Sequence, residues 1–415
     1  LGSHSVPALT AGTSSGPVTT TLTLPSNLNG SYYVIACADF TGSIVETNET
    51  NNCMRSSNQM TIGGGADLVV TGASILTAAP VSGGTLQVRD TTANQGGTSA
   101  TSSYTGFYLS TNGVTKGSLL GSRNVGSLAG GASSGPATTT LNLPLNLNGP
   151  YYVIACADFT GSVVETNEAN NCSLAGPVTI TGADLVVSAV SIVTAAPVSG
   201  GSLQVTDTIA NQSSGKAASS YTGFYLSTDG ITKGSPLGSR NAPVLAASTA
   251  SGPVTTTLTL PMNLNGSYYV IACADFTGAV VESNEANNCA VAGPVTITGA
   301  DLVVSGVTIV TAAPVAGGSL QLTDTTVNQN SGKANSTYTG FYLSRDGVTK
   351  AGLLGSRNVP VLPGNTSSGP VTTTFTLPAT ASGTYYVIGC ADFTGSVVET
   401  NEANNCTVSG QMTIQ

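Results

Sequence analysis

Apolar residues along this chain fall in short alternating runs, not at the three- to four-residue spacing of an amphipathic helix. In the stretch 182–298 the segments 184–193, 202–211, 219–227, 252–260, 267–275 and 289–298 are rich in Val, Ile, Leu, Thr and Tyr, with a weaker one at 237–245. Val254, Leu258 and Leu260 alternate with Thr255, Thr257 and Thr259. That is the period-two pattern of an antiparallel strand with one wet face. Turn-forming clusters separate the runs: Pro197-Val198-Ser199-Gly200-Gly201, Asn211-Gln212-Ser213-Ser214-Gly215, Asp229-Gly230, Pro261 and Asn265-Gly266.

The same pattern recurs. Ala-Asp-Leu-Val-Val stands at 66–70, 183–187 and 300–304, and Cys-Ala-Asp-Phe-Thr-Gly starts at Cys37, Cys156, Cys273 and Cys390. Three full repeats are expected at 64–181, 182–298 and 299–415, preceded by the carboxyl-terminal half of another at 1–63. Leu1-Gly2-Ser3 aligns with Leu120-Gly121-Ser122, Leu237-Gly238-Ser239 and Leu354-Gly355-Ser356. About seven short strands per repeat predict an all-β chain of tandem immunoglobulin-like sandwiches. The sequence has no Trp, so these are not antibody-type domains. A half sandwich leaves an apolar face and sheet edges uncovered. Either 1–63 belongs to a longer chain that completes it, or a neighbouring copy supplies strands by β-strand addition.

Only Gly182-Ala183 and Gly299-Ala300 separate successive full repeats, whereas Gly63-Gly64-Gly65-Ala66 is longer. Short junctions predict sandwiches arranged end to end as a semi-rigid rod, with more hinge at the first. With each sandwich roughly 35–40 Å long, the array would exceed about 100 Å.

Composition narrows the function classes. Charged residues are 7 % of the 415, and the formal net charge is −9. The 11 basic residues form no cluster that could follow a phosphate backbone, which argues against nucleic acid. Disorder is disfavoured by 40 % hydrophobic residues. No run of 18 apolar residues predicts a membrane span. A Thr- and Ser-rich surface of low charge suits contact with copies of itself or with carbohydrate.

The eight cysteines fall in four equally spaced pairs, Cys37/Cys53, Cys156/Cys172, Cys273/Cys289 and Cys390/Cys406. One pair per repeat predicts intradomain disulfides and an oxidising, extracellular or cell-surface location. Each bridge would close a loop worth about 3 kcal/mol in the chain-entropy account. A zinc site is the rival reading, but zinc pairs are closer in sequence and the chain has one His, His4.

Between each pair runs an acidic loop, Asp-Phe-Thr-Gly-Ser-Val-Val-Glu-Thr-Asn-Glu-Ala-Asn-Asn at 158–171, with counterparts from Asp39, Asp275 and Asp392. Preceded by Tyr-Tyr-Val-Ile-Ala-Cys-Ala, this segment resembles the cell-adhesion-related domain found in bacteria, CARDB. Asp184-Leu185-Val186-Val187, Asn211-Gln212-Ser213 and Tyr225-Leu226-Ser227 are similar to the other half of that domain. The resemblance spans the chain, with the Cys pair as its departure. It implies an immunoglobulin-like extracellular module of prokaryotic surface proteins, with a role in adhesion or spacing.

Asp158, Glu165, Glu168 and Asn170, and their counterparts in the other repeats, are candidate calcium ligands because they bring hard oxygens within thirteen residues. Their spacing differs from an EF-hand, and the competing reading is a loop network in which Asn and Glu cap backbone N–H groups. Asp90, Asp207 and Asp324 fall in phase with inward apolar residues. They are expected at a bulge or edge where the carboxylate reaches water, or else at a contact between domains or subunits. Candidate glycosylation sequons stand at Asn29, Asn48, Asn211, Asn265, Asn335 and Asn365. Those at Asn171 and Asn405 contain a disulfide Cys and are poor acceptors. The Thr-x-Thr rows at 19–23 and 255–259 are of a kind that binds ice or carbohydrate, against the competing and preferred reading of ordinary solvent faces.

No Ser/His/Asp or Cys/His set recurs, so an enzyme is not expected, and no cofactor other than calcium is suggested. The expectation is an extracellular structural protein, a subunit or segment of a filament, fibre or stalk whose partners are copies of itself. The alternatives are an adhesin for a host, matrix or carbohydrate ligand, and a non-catalytic spacer of a larger surface hydrolase.

Overall fold

A computed structural model of the 415-residue chain describes every residue except Ser26, Asn27, Asn29 and Gly63. Among the described residues all regular structure is β. The chain divides into two compact units, Leu1–Gly182 with Ser214–Lys216, and Ala183–Ser213 with Ala217–Gln415.

In the second unit, Leu185–Ile192, Ser202–Asn211 and Val254–Thr259 form a three-stranded antiparallel sheet with Ser202–Asn211 central. Pro236–Ala242, Ser220–Ser227, Gly266–Cys273 and Cys289–Ile297 form the opposing four-stranded sheet in that spatial order. Seven strands in two sheets make an immunoglobulin-like sandwich, and the weak stretch expected at 237–245 is the edge strand Pro236–Ala242. The alternation in Ser202–Asn211 points Leu203, Val205, Asp207, Ile209 and Asn211 inward. Leu203, Val205 and Ile209 close on Phe224, Val270 and Ile297, all fully buried. Truncating such a Phe to Ala costs about 3–5 kcal/mol. Val254 departs from the pattern: it is 37 % exposed at the strand end opposite Asp207, while Leu258 and Leu260 are buried.

The rest of the second unit repeats this plan. Leu302–Ile309, Ser319–Asn328 and Val371–Thr376 face Gly352–Val359, Thr337–Ser344, Gly383–Cys390 and the paired ends Cys406–Val408 and Met412–Ile414. This sandwich has its own core around Phe341 and Phe375. The first unit holds a third, from Leu68–Ile75 to Cys172–Ile180, centred on Phe107. Upstream of it, Gly30–Tyr32 pairs with Met60–Ile62 and Ile35–Cys37 with Cys53–Arg55, two short ribbons that face no opposing sheet among the described residues.

The in-phase aspartates correct the expectation of an edge or an intermolecular contact. Asp90, Asp207 and Asp324 are buried, and each meets an Arg from the other sheet of its own sandwich: Arg123, Arg240 and Arg357. Arg357 donates from Nε and Nη2 to both Asp324 oxygens at 2.6 Å. The bidentate fork satisfies the carboxylate, which is why a charge sits in an apolar register.

Candidate functional site: a carboxylate clasp between the cysteines

All four cysteine pairs are disulfides with Cα atoms 4.0 Å apart, and no described cysteine is free. Each bridge ties the last residue of one strand to the first of the next, as in the Cys273↔Cys289 pair, and the acidic loop springs from that clamp.

The loop begins at Asp158, whose backbone is left-handed at φ 39°, as it is at Asp39, Asp275 and Asp392. Its carboxylate accepts the N–H groups of Ser162 at 3.1 Å and Val163 at 2.7 Å, closing a tight turn. Val163 is thereby driven into the core. Glu165 follows on a parallel bridge to Ala66, where Thr166 N–H donates to the Ala66 carbonyl at 2.8 Å. The Glu165 carboxylate accepts Leu68 N–H at 2.5 Å on one oxygen and the Asn171 amide at 3.0 Å on the other. Asn170 reaches Asp67 at 2.9 Å, and Glu168 accepts the N–H of Glu165 at 3.1 Å. The loop is therefore a clasp on the start of its own repeat's first strand, 97 residues upstream.

Both downstream repeats rebuild it: Glu282 accepts Leu185 N–H, and Glu399 accepts Leu302 N–H. Burial raises Glu165 and Glu282 to about 7 and Glu399 to about 8, with nearby carboxylates adding to the rise. The N–H donated by the leucine opposes it.

Three of the four candidate calcium ligands are spent on the chain, whereas Asn170 uses only its amide nitrogen and its Oδ1 is buried without a hydrogen-bond partner. Asp158 caps a turn, Glu165 holds Leu68, Glu168 holds the Glu165 backbone and Asn170 donates to Asp67. Among the described residues no three His, Cys, Asp or Glu are grouped to hold a metal. The capping network anticipated for this loop exists, and its long-range target is what the sequence hid.

The sequons are scattered. Asn211 is 1 % exposed, with its amide donated to the carbonyls of Leu245 and Ala246, so in the fold it is not available as an acceptor. Asn29 lies outside the described residues. Asn48 and Asn365 are exposed, Asn265 and Asn335 half-buried. Asn265 serves a junction inside the second unit. Its Oδ1 accepts Gly299 N–H at 3.3 Å and its Nδ2 donates to the Glu399 carbonyl at 3.1 Å. Asn263 donates to the Ser396 carbonyl at 3.1 Å. Lys333 N–H donates to the Ser199 carbonyl at 2.9 Å. The clasp loop of 299–415 is therefore also the surface on which the preceding sandwich rests.

The CARDB family model matches residues 1–56, 65–175, 182–292 and 299–409. The CARDB domain of a Pyrococcus furiosus protein is 22 % identical, covering 28 % of this chain and 89 % of that one at a TM-score of 0.22. The Escherichia coli adhesin FdeC is 17 % identical, covering 85 % of this chain and 99 % of that one at a TM-score of 0.26. No curated protein matches the chain.

Proposed function

We propose, from the premise that the chain belongs to the CARDB family, that it is a non-catalytic, extracellular structural and adhesion-related protein: a subunit or segment of a surface filament, fibre or stalk. The observation that carries this reading is the repeated sandwich with its disulfide at the root of each clasp loop. A bridge in every repeat supports an oxidising location, and among the described residues no helix is long and apolar enough to cross a membrane. Hydrogen bonds from Asn263 and Asn265 to the next sandwich support a spacing role, because they restrict bending where only two residues join the repeats. Low surface charge favours contact between copies, so the partner proposed is the chain itself.

Electron microscopy of the purified protein is the test. Regular helical filaments support the filament reading, and isolated rods at high protein concentration overturn it. An adhesin is the second reading, favoured by the exposed Thr rows such as Thr255 and Thr257. It predicts saturable binding to a matrix or glycan array by the isolated chain.

A further inference from the structure

The sandwich of 299–415 departs from its sister repeats at positions that meet in one place. Ala381 is buried in its core, where the other two complete repeats carry Leu147 and Leu264, each packed against the core of its own sandwich. Beside the shorter side chain a half-open cleft of about 290 Å³ is lined by Leu343, Leu354, Ala381 and Tyr385. Arg345, in place of Thr111 and Thr228, lines the same cleft and lays its guanidinium 4.6 Å from the ring centroid of Tyr385. Thr380, in place of Asn146 and Asn263, brings a hydroxyl to the rim. Asp346, next to the arginine, is turned into its own loop, where it accepts the N–H groups of Val348 at 2.9 Å and Thr349 at 2.7 Å. Among the described residues Arg345 has no ion pair.

We propose that this cleft binds a small organic carboxylate, with its apolar body against Leu343, Leu354 and Ala381 and its anionic end on Arg345 and the Thr380 hydroxyl. The occupant follows from complementarity. The lining holds one positive charge and no negative one, which favours an anion over a cation. A guanidinium matches a carboxylate with two parallel hydrogen bonds, and the stack on Tyr385 holds that fork in place. One cation suits a monoanion better than a phosphate group, which carries close to two charges at neutral pH. The apolar floor asks for a hydrocarbon body, whose removal from water supplies most of the affinity. A cleft this small lies at the lower end of ligand pockets, so the body is compact, of about a dozen non-hydrogen atoms in all. The site belongs to one sandwich and does not depend on the assembly reading.

The test titrates the full chain with 4-phenylbutanoate and follows the methyl signals of Leu343, Leu354 and Ala381 by NMR. They are expected to shift saturably, while those of Leu226 and Leu237, the counterparts of Leu343 and Leu354 in 182–298, stay in place. The uncharged 4-phenylbutanamide should bind at least tenfold more weakly. Arg345→Thr should weaken the acid at least tenfold and leave the amide as it was. Ala381→Leu should abolish binding of both by filling the cleft. Each variant installs the residue that the sister repeats hold, and Arg345→Thr lies at the surface, so it decides the matter should Ala381→Leu fail to fold. The absence of a saturable shift overturns the proposal. Equal binding of acid and amide, or undiminished binding of the acid by Arg345→Thr, marks unspecific apolar capture and overturns it too, as do equal shifts at Leu226 and Leu343.

Discussion

Arg357 lies against Asp324 with two parallel hydrogen bonds of 2.6 Å, across the two sheets of one sandwich and almost out of reach of water. A third donation from Nη2 to Thr326 Oγ1 at 3.0 Å fixes the fork in place. The pair is an internal tie whose removal should be felt as an unpaired charge.

Replacing Arg357 with Met is expected to cost about 3–5 kcal/mol, because the Asp324 carboxylate is left buried without a counter-ion. One transition of the calorimetric trace should fall by more than about 10 °C, while those of the other repeats stay. The double variant Asp324→Leu with Arg357→Met should recover most of the loss. A single Arg357→Met that melts like the parent would show the pair to be dispensable.

The partner of each in-phase aspartate is legible in the sequence. Arg123, Arg240 and Arg357 recur with the same period as Asp90, Asp207 and Asp324, so a carboxylate in an apolar phase had a cation waiting at fixed distance in sequence. Alternation located the strands because a half-buried sheet imposes it, and the even cysteine spacing located the disulfides because one pair recurs in every repeat. Glu165 stands in the sequence as a candidate calcium ligand with capping as the competing reading, and neither names its target: a side chain that caps a strand 97 residues away leaves no local trace. Asn211 looked like a sequon for the opposite reason. Its three-residue motif says nothing of the two carbonyls that occupy its amide.

The clasp glutamates should make stability fall as pH rises. An unperturbed Glu titrates near 4.5, while burial raises Glu399 to about 8. Below 4.5 the group is protonated in both folded and unfolded chains. Between 4.5 and about 8 the unfolded chain has released a proton that the folded one keeps, so folding loses ground across that window and levels off above it. Glu399→Gln removes this dependence for the last repeat. Its amide can accept Leu302 N–H and donate to Asn405 Oδ1, which has no partner at present, after a flip of that side chain. Melting temperatures at pH 4.5 and pH 8 in the two proteins check the sign.

Gly340 has no room for a side chain, since a Cβ would stand 2.6 Å from Cγ of Phe393. Gly340→Ala should destabilise its repeat by about 1–3 kcal/mol, the usual range for overpacking. Adding Phe393→Ala should return part of that, which a double-mutant cycle by chemical denaturation measures as a coupling between the two sites.

Opening the Cys156–Cys172 bridge by replacing both with Ser should cost about 2–4 kcal/mol, in one repeat only. The clasp hangs from this bridge, so the amide of Leu68, held by Glu165, should exchange faster well before the repeat melts. Unchanged exchange at Leu68 would mean that the loop keeps its form without the disulfide.

Asn265 closes the junction between the two sandwiches of the second unit by accepting Gly299 N–H and donating to the Glu399 carbonyl. Each hydrogen bond contributes about 1 kcal/mol, too little to hold a large surface together but enough to bias a two-residue hinge. Asn265→Ala should therefore leave each sandwich's own melting almost untouched while widening the distribution of distances between spin labels placed on residues 231 and 348. The natural contrast is the last repeat, where Thr380 and Ser382 stand at the positions of Asn263 and Asn265. Because the same Glu399 carries both the clasp, through its side chain, and the junction, through its carbonyl, Glu399→Ala should broaden the distances as well. A variant that melts early yet keeps a narrow distance distribution would separate the two roles.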